Sequence, residues 1–418
     1  MDNRSDGLWQ GGPWEQPSPG FSPPPAVRLP PPRRPERPRL NVRRRRRRWP
    51  AFVGITSLIL AICLSVVILG QIDRPLSSFA PPSSSEDYDR QQEYSTEPPS
   101  IPRAETGTGV TVELAAPGSQ SLNYTQIYQK VSPSIVSIEA VSAQEYSTGT
   151  GVILTADGYI ITNAHVVAGA GEVNVSTWDN YVFSASLVGF DAQEDLAVLK
   201  VEAQGLTPAE FGDSSALSIG DPVAAIGDPL GYRSTITDGI ISALDREVDV
   251  DGVTMTLIQT SAAINFGNSG GALINQYGQV VGITTIKIVT DDGSAEALGF
   301  AIPSRRVKYV TDALIDGRQV RAGVFGFTVL TSPASQGGLE IRSVHPNSDA
   351  AAKGIQPGDV ILSANGQPVT STQDLVRLKL SLGAGDLVTL TLQRGEETYT
   401  VDVALVEAGL VEQEVLTG

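Results

Sequence analysis

The sequence predicts an all-β body, and three observations carry the prediction. Between residues 131 and 302, about a dozen short apolar segments follow one another, separated by Gly, Asp and Asn, the spacing of a barrel or sandwich. Near the C-terminus, Leu387 to Arg394 and Thr398 to Ala404 alternate apolar and polar residues as a closing hairpin does. With 418 residues, 41% of them hydrophobic, the chain has core material for two or three domains.

Three stretches precede that body. Residues 1–50 are rich in Pro, Arg and Gly, with Pro23-Pro24-Pro25 and Pro30-Pro31-Pro32, and bury too little apolar surface to fold. They read as a disordered cytoplasmic tail. Arg43 to Arg48 form an unbroken basic run, and Ala51 to Gly70 then carry no charge. At ~1.5 Å per residue such a run crosses a ~30 Å hydrocarbon core, and arginines before it stay cytoplasmic. The apolar region of a cleaved secretory signal is shorter and ends in small residues, whereas this run leads into Gln71-Ile72-Asp73-Arg74. We therefore expect one uncleaved transmembrane helix with the remainder extracytoplasmic. Residues 71–120, with Pro81-Pro82-Ser83-Ser84-Ser85-Glu86-Asp87, read as a flexible acidic linker.

From Asn123 the pattern is globular. Asn123 to Lys130 suits a short helix, and Val131 to Ile138 enters the first strand. Strands are expected over Val152 to Leu154, Tyr159 to Thr162, Val173 to Ser176, Phe183 to Phe190 and Leu196 to Val201. Six more follow, over Pro222 to Ile226, Thr235 to Leu244, Met255 to Thr260, Leu273 to Asn275, Val280 to Thr285 and Leu298 to Ile302. A helix-like segment, Arg306 to Ile315, leads to a boundary near Gly317 to Gly323, and Thr372 to Leu382 is again apolar at helical spacing.

Charge and composition exclude several functions. Residues 1–50 hold 12 Arg and 4 acidic residues, a net of +8, which leaves −24 for the rest of a chain whose formal charge is −16. An acidic body repels phosphate, so no nucleic acid is expected as partner. The single cysteine, Cys63, lies in the apolar run, so no internal disulfide can form, and no Cys/His cluster suits a metal. No phosphate loop or dinucleotide fingerprint is present, and no cofactor is expected.

The chemistry concentrates at Gly267-Asn268-Ser269-Gly270-Gly271. A serine between glycines can stand clear of a turn while backbone N–H groups converge on one oxygen. A nucleophilic serine needs a base and a group to orient it. Only two histidines exist, His165 and His345; His165 follows an apolar strand, and Asp195 opens the apolar run Leu196 to Leu199. The order His, Asp, Ser is one of the known chain orders of this triad. His345 sits in a turn and receives no role, and Asp191 is the nearest competing acid.

Six segments together resemble the HtrA/Deg serine proteases: Thr148-Gly149-Thr150-Gly151-Val152-Ile153, Thr162-Asn163-Ala164-His165-Val166-Val167, Asp195-Leu196-Ala197-Val198-Leu199, Ala263-Ile264-Asn265, Gly267-Asn268-Ser269-Gly270-Gly271 and Gly299-Phe300-Ala301-Ile302-Pro303-Ser304. The resemblance runs from about Tyr124 to the C-terminus. It implies a chymotrypsin-like double β-barrel protease domain over residues 121–318, with His165 and Asp195 in the first barrel and Ser269 in the second. It implies His165 as base, Asp195 as its orienting carboxylate and Ser269 as nucleophile, with an oxyanion hole from Gly267, Ser269 and Asn268. By match, Ile264 and Leu298 line the substrate pocket, an apolar floor suited to small or medium aliphatic residues. Asp245 to Thr254 and Ile286 to Ala297 correspond to regulatory loops. Ser261 stands where Asp is common in the family, and Phe266 where Pro or Arg is frequent.

Residues 322–405 resemble a small α+β PDZ domain on Val324-Phe325-Gly326-Phe327, the run Ala350 to Ile361 with its Gly358-Asp359-Val360-Ile361, and Asn365-Gly366-Gln367-Pro368-Val369. The resemblance implies that Val324, Phe325, Gly326 and Phe327 form a carboxylate-binding loop, and that a C-terminal peptide adds as a strand beside Phe327 to Leu330. Residues 406–418 read as a tail. The expectation is a membrane-anchored extracytoplasmic serine endopeptidase acting on unfolded or damaged envelope proteins, homotrimeric as the family implies. Two alternatives stand beside it: a protease-fold holdase or PDZ scaffold with little turnover, and a site-specific signalling protease.

Overall fold

The computed structural model describes residues 96–142, 146–228, 234–250, 253–265, 267–285, 299–331 and 338–408. The expected tail, the span Ala51 to Gly70, the linker to residue 95 and the loop Ile286 to Ala297 lie outside the described residues. Among the described residues, no helix is long and apolar enough to cross a membrane.

Residues 97–116 depart from expectation, since they do not form a free linker. They lie along the folded body and end in β1 (Leu114–Ala115). Ala104 N–H donates to Leu187 O at 3.0 Å, Gly107 N–H to Ile315 O at 2.7 Å, and Val112 N–H to Asp312 Oδ1 at 2.7 Å. Ile101 and Val112 are buried in the core. Each of these backbone groups finds its partner far along the chain, which no local pattern announces.

Helix α1 (Tyr124–Val131) starts at Asn123, whose side chain accepts from Gln126 N–H while Gln126 accepts from Asn123 N–H. This reciprocal cap satisfies two orphan donors, and Ile127 and Val131, four residues apart, face the core. Six strands then close a barrel: β2 (Ile135–Val141), β3 (Tyr146–Ile153), β4 (Tyr159–Thr162), β5 (Glu172–Ser176), β6 (Val182–Asp191) and β7 (Leu196–Val201). Their order is β2-β3-β4-β7-β6-β5. Between β4 and β5 lies the one-turn helix α2 (Ala164–Val167). Strand β3 is longer than the expected Val152 to Leu154, because Gly149 interrupts the apolar pattern there. A Cβ at Gly149 would lie 2.6 Å from Val166 Cγ1, so the strand needs glycine to let α2 approach.

The second barrel holds β8 (Phe211–Gly212), β9 (Pro222–Gly227), β10 (Thr235–Val250), β11 (Val253–Thr260), β12 (Ala272–Asn275), β13 (Val280–Thr285) and β14 (Gly299–Pro303). The sheet runs β1-β8-β13-β12-β9-β10-β11-β14, and pairing of β13 with β14 closes the last six into a ring. One apolar cluster joins both barrels, packing Ile135, Ile161 and Val198 against Ile226, Ile274 and Ile283. Strands covered on both faces read as continuous apolar runs, as Leu196 to Leu199 do. Strand β10 continues past the expected Leu244, so the segment Asp245 to Thr254 is largely a hairpin arm rather than a loop. Val248 opposes Met255 across it, and the register slips around Asp245, a non-glycine residue at φ +53°.

Helix α3 (Ser304–Ile315) buries Val307, Val310, Leu314 and Ile315 and leads to the second domain. That domain contains β15 (Gly323–Val324), β16 (Phe327–Thr331), β17 (Leu339–Val344), α4 (Asp349–Ala352), β18 (Val360–Ala364), β19 (Gln367–Pro368), α5 (Thr372–Lys379), β20 (Leu387–Arg394), β21 (Glu397–Ala404) and β22 (Val406–Glu407). Its main sheet runs β16-β17-β18-β20-β21 over a core of Leu339, Ile341, Ile361, Leu375, Leu390 and Leu392. Just past residue 405, Val406 and Glu407 pair with Val324 and Gly323 of the domain's first strand.

Candidate active site

His165 enters from α2, at the junction of the first barrel with the second. Its Nδ1 lies 2.8 Å from Asp195 Oδ1 and 3.0 Å from Oδ2, and its backbone N–H donates to Oδ1 at 3.2 Å. An ionised carboxylate only accepts, so a neutral imidazole facing one places its proton on Nδ1. Asp195 is fully buried and sits at φ +52°, a left-handed conformation that an L residue adopts only when its surroundings enforce it. Two bonds enforce it here. Thr285 Oγ1 donates to Asp195 Oδ2 at 2.9 Å, and Asn163 Nδ2 donates to Asp195 O at 2.9 Å.

The Ser269 turn is held through its backbone, by other backbone groups and by two threonine hydroxyls. Asn268 N–H donates to Asn265 O at 2.9 Å, with Gly267 at φ +95°, a left-handed conformation that glycine adopts readily. Thr150, in β3, takes the turn's carbonyls: its Oγ1 donates to Gly267 O at 2.6 Å and its N–H to Ser269 O at 2.8 Å. Thr284 Oγ1 donates to Asn268 O at 2.6 Å, and Gly270 N–H donates to Thr284 O at 2.9 Å. With the carbonyls drawn into the protein, the Gly267 and Ser269 N–H groups have no acceptor among the described residues. Asn268 differs from expectation, because its N–H is spent on Asn265 and cannot be a third donor.

Gly270 joins the two halves. At φ +80°, a Cβ there would lie 2.1 Å from Thr150 O, 2.4 Å from Thr162 Oγ1 and 3.1 Å from Asn163 N. The residue after Ser269 therefore rests on the segment two residues before His165. Adjacent residues of β13 complete the link, Thr284 gripping the turn and Thr285 the carboxylate. Ser269 itself is buried, at 5% exposure.

The other expected residues are placed unevenly. Ile264 is half-buried and packs where a Cβ on Gly299 would fall, 2.6 Å from its Cγ1, at the start of β14. Leu298 lies outside the described residues. In the expected carboxylate-binding loop, Val324 and Phe327 belong to strands, and only Phe325 and Gly326 connect them. Phe325 is buried and stacks on Phe327 with ring centroids 5.3 Å apart, while Gly326 O accepts from His345 N–H at 2.8 Å. Among the described residues, no group of His, Cys, Asp and Glu could hold a metal ion.

Sequence reasoning missed Thr284 and Thr285, and it quoted Thr150 only within a motif. Their signal is weak, since threonine at a strand end is ordinary; what singles them out is burial with the hydroxyl aimed at a turn. It also missed Glu194, beside Asp195, whose carboxylate pairs with Arg306 of α3.

Known proteins share this architecture. The trypsin-like peptidase domain family matches residues 149–283, and the PDZ domain family matches residues 323–405. The chain is 40% identical to serine endoprotease DegS of Haemophilus influenzae over 267 residues, covering 63% of this chain and 78% of that one. It is 36% identical to the serine protease Do-like HtrB of Bacillus subtilis over 332 residues, covering 69% and 72%. Against the periplasmic serine endoprotease DegP of Salmonella typhimurium, identity is 40% over 269 residues, and the chain spans only 56% of that relative's length. Among solved structures, the HtrA-type protease AlgW with tripeptide matches with a TM-score of 0.55 at 33% identity, over 68% of this chain and 97% of that one. A trypsin-like peptidase domain followed by one PDZ domain, at these identities and over most of the DegS and HtrB chains, means that the chain belongs to the HtrA/Deg family of serine proteases.

Proposed function

We propose that the protein is a serine endopeptidase in which His165, Asp195 and Ser269 act as base, orienting carboxylate and nucleophile. The observation that carries this is the double hold on Asp195, by His165 and by Thr285, next to a turn seated on Asn163 through Gly270. His165 Nε2 takes the Ser269 proton as the hydroxyl oxygen attacks a peptide carbonyl, and returns it to the leaving amine. Asp195 keeps the proton on Nδ1 and stabilises the imidazolium. The Gly267 and Ser269 N–H groups receive the carbonyl oxygen as it becomes negative. Water repeats the sequence on the acyl-enzyme and regenerates Ser269.

The substrates of this reading are unfolded or damaged envelope proteins, cut after small or medium aliphatic residues at a pocket floored by Ile264 and Leu298. The protein is anchored by residues 51–70 with the N-terminus cytoplasmic, works as a homotrimer, and binds C-terminal peptides beside β16 through residues 324–327. A fluorophosphonate probe tests the chemistry: wild type labels and Ser269→Ala does not. No labelling of wild type would leave the holdase or scaffold reading. Unfolded casein degraded to many fragments supports broad proteolysis, whereas a single-cut pattern would favour a signalling protease.

A further inference from the structure

Arg306 is a buried charge that the hydrolytic steps do not use. It projects from the first turn of α3 with 9% exposure. Its Nε donates to Glu194 Oε2 at 2.8 Å and its Nη2 to Oε1, a two-pronged pair. Its Nη1 donates to Leu382 O at 2.8 Å, with Lys379 O at 3.5 Å. Those carbonyls lie at and just beyond the C-terminal end of α5, where the last carbonyls of a helix lack intrahelical partners and favour a cation. One arginine thus bridges the second domain to the residue immediately before Asp195.

The neighbourhood gives that bridge little slack. Glu194 N–H donates to Asp191 Oδ1 at 2.9 Å, fixing the backbone on one side of the corner, and Asp195 follows at φ +52°. Further along α3, Tyr309 Oη donates to Asp386 Oδ2 at 2.7 Å, and Gly383 N–H donates to the same oxygen at 2.8 Å. The Arg306 guanidinium also stacks over the Tyr309 ring, 5.3 Å from its centroid. On the other side, α5 packs against β16, so the helix whose end Arg306 holds is also a wall of the proposed peptide groove.

We propose that Arg306 is a positioning residue for Asp195, locking the Glu194–Asp195 corner only while the end of α5 supplies its remaining acceptors. The inference rests on the hydrolytic reading above and reaches the site through the carboxylate. If α5 withdraws, the guanidinium loses the Leu382 carbonyl and is opened to water, which competes for its donors and weakens the two-pronged hold on Glu194. Movement of the groove wall then changes the angle at which Asp195 meets His165.

The test uses the full chain in two backgrounds. In the active background, kcat and KM are measured on a fluorogenic peptide for Arg306→Gln, Arg306→Lys and Gly383→Ala. The last places a Cβ 2.6 Å from Tyr309 Oη and 3.0 Å from Arg321 O, crowding the seam between α3 and the second domain from the far side of the Tyr309 ring that Arg306 covers. We expect Arg306→Gln and Gly383→Ala each to lower kcat about tenfold with KM within about twofold, and Arg306→Lys to recover part of the loss. In a Ser269→Ala background, the low-field proton resonance of His165 Nδ1–H reports the His165–Asp195 bond without turnover, and it should shift or broaden in Arg306→Gln and Gly383→Ala. The proposal is overturned if both leave that resonance in place, or if Arg306→Gln moves it and Gly383→Ala does not. Absence of turnover in wild type, with the resonance still responding to both, would sink the hydrolytic reading and leave the positioning role standing.

Discussion

The two halves of the candidate site are built from different materials. At the Asp195 corner, side chains do the holding: an imidazole, a threonine hydroxyl and an asparagine amide each bond to one residue. At the Ser269 turn the groups being held are the chain's own carbonyls, taken by the hydroxyls of Thr150 and Thr284 and by backbone amides, and the missing side chain of Gly270 lets the turn sit close. The contrast teaches where each half is vulnerable. The corner fails when a functional group is exchanged at constant shape, and the turn fails when volume is added.

Exchange at the corner should have the largest effect. Asp195→Asn preserves size but favours the wrong imidazole tautomer, and a loss in kcat of about 10⁴ is expected from steady-state kinetics with the fold intact by circular dichroism. A loss of less than about tenfold would mean that the corner does not govern the base. Next, Gly270→Ala drives a Cβ to 2.1 Å from Thr150 O at a positive φ. We expect about 10³ lost in rate together with roughly 2–4 kcal/mol of stability in urea denaturation, a pairing that Asp195→Asn should not show. If Gly270→Ala lost rate alone, the distinction between the halves would break down.

Thr285→Val removes one donor to the carboxylate while keeping volume. A drop in kcat of roughly ten- to hundredfold is expected, since a hydrogen bond to a charged group contributes roughly 1.5–3 kcal/mol. The smallest effect concerns Asp191, where burial pushes the carboxyl up, against the lowering influence of the Glu194 and Gln193 N–H groups and the Arg306 charge. A carboxylate raised in the folded state burdens the fold above that raised pKa and ceases to do so below the unfolded value. Asp191→Asn should therefore raise Tm slightly at neutral pH, with the gain fading as pH falls into the carboxylate range. Calorimetry at several pH values would show it, and a gain that grew toward acid would contradict the assignment.

Much of the fold was legible because local signals agreed with it. The short helix expected from Asn123 to Lys130 is there as α1, and strands such as Leu196–Val201 announced themselves by apolar runs between turns. Partnership over distance was not legible. The stretch 97–116 reads as linker by its prolines and acids, yet Val112 is fully buried and its carbonyl accepts from Lys308 Nζ at 2.6 Å. Strand β10 runs past Leu244 because its polar residues Arg246 and Glu247 pair with Leu257 and Thr256, and a polar stretch gives no sign of a strand until its partner is in place.

The amino-acid order by itself determined which residue types were available for chemistry: two histidines, a serine among glycines, and an acid opening an apolar run. It also determined the succession of two domains, since turn residues and apolar periodicity act over a few neighbours. Only the tertiary structure decided that Asn268 N–H is spent, that Thr285 and Thr150 hold opposite sides of the site, and that Arg306 reaches both Glu194 and the end of α5. Those are questions of which donor meets which acceptor after the barrels have packed, and a hydrogen bond depends on distance and direction in space, which separation along the chain does not encode.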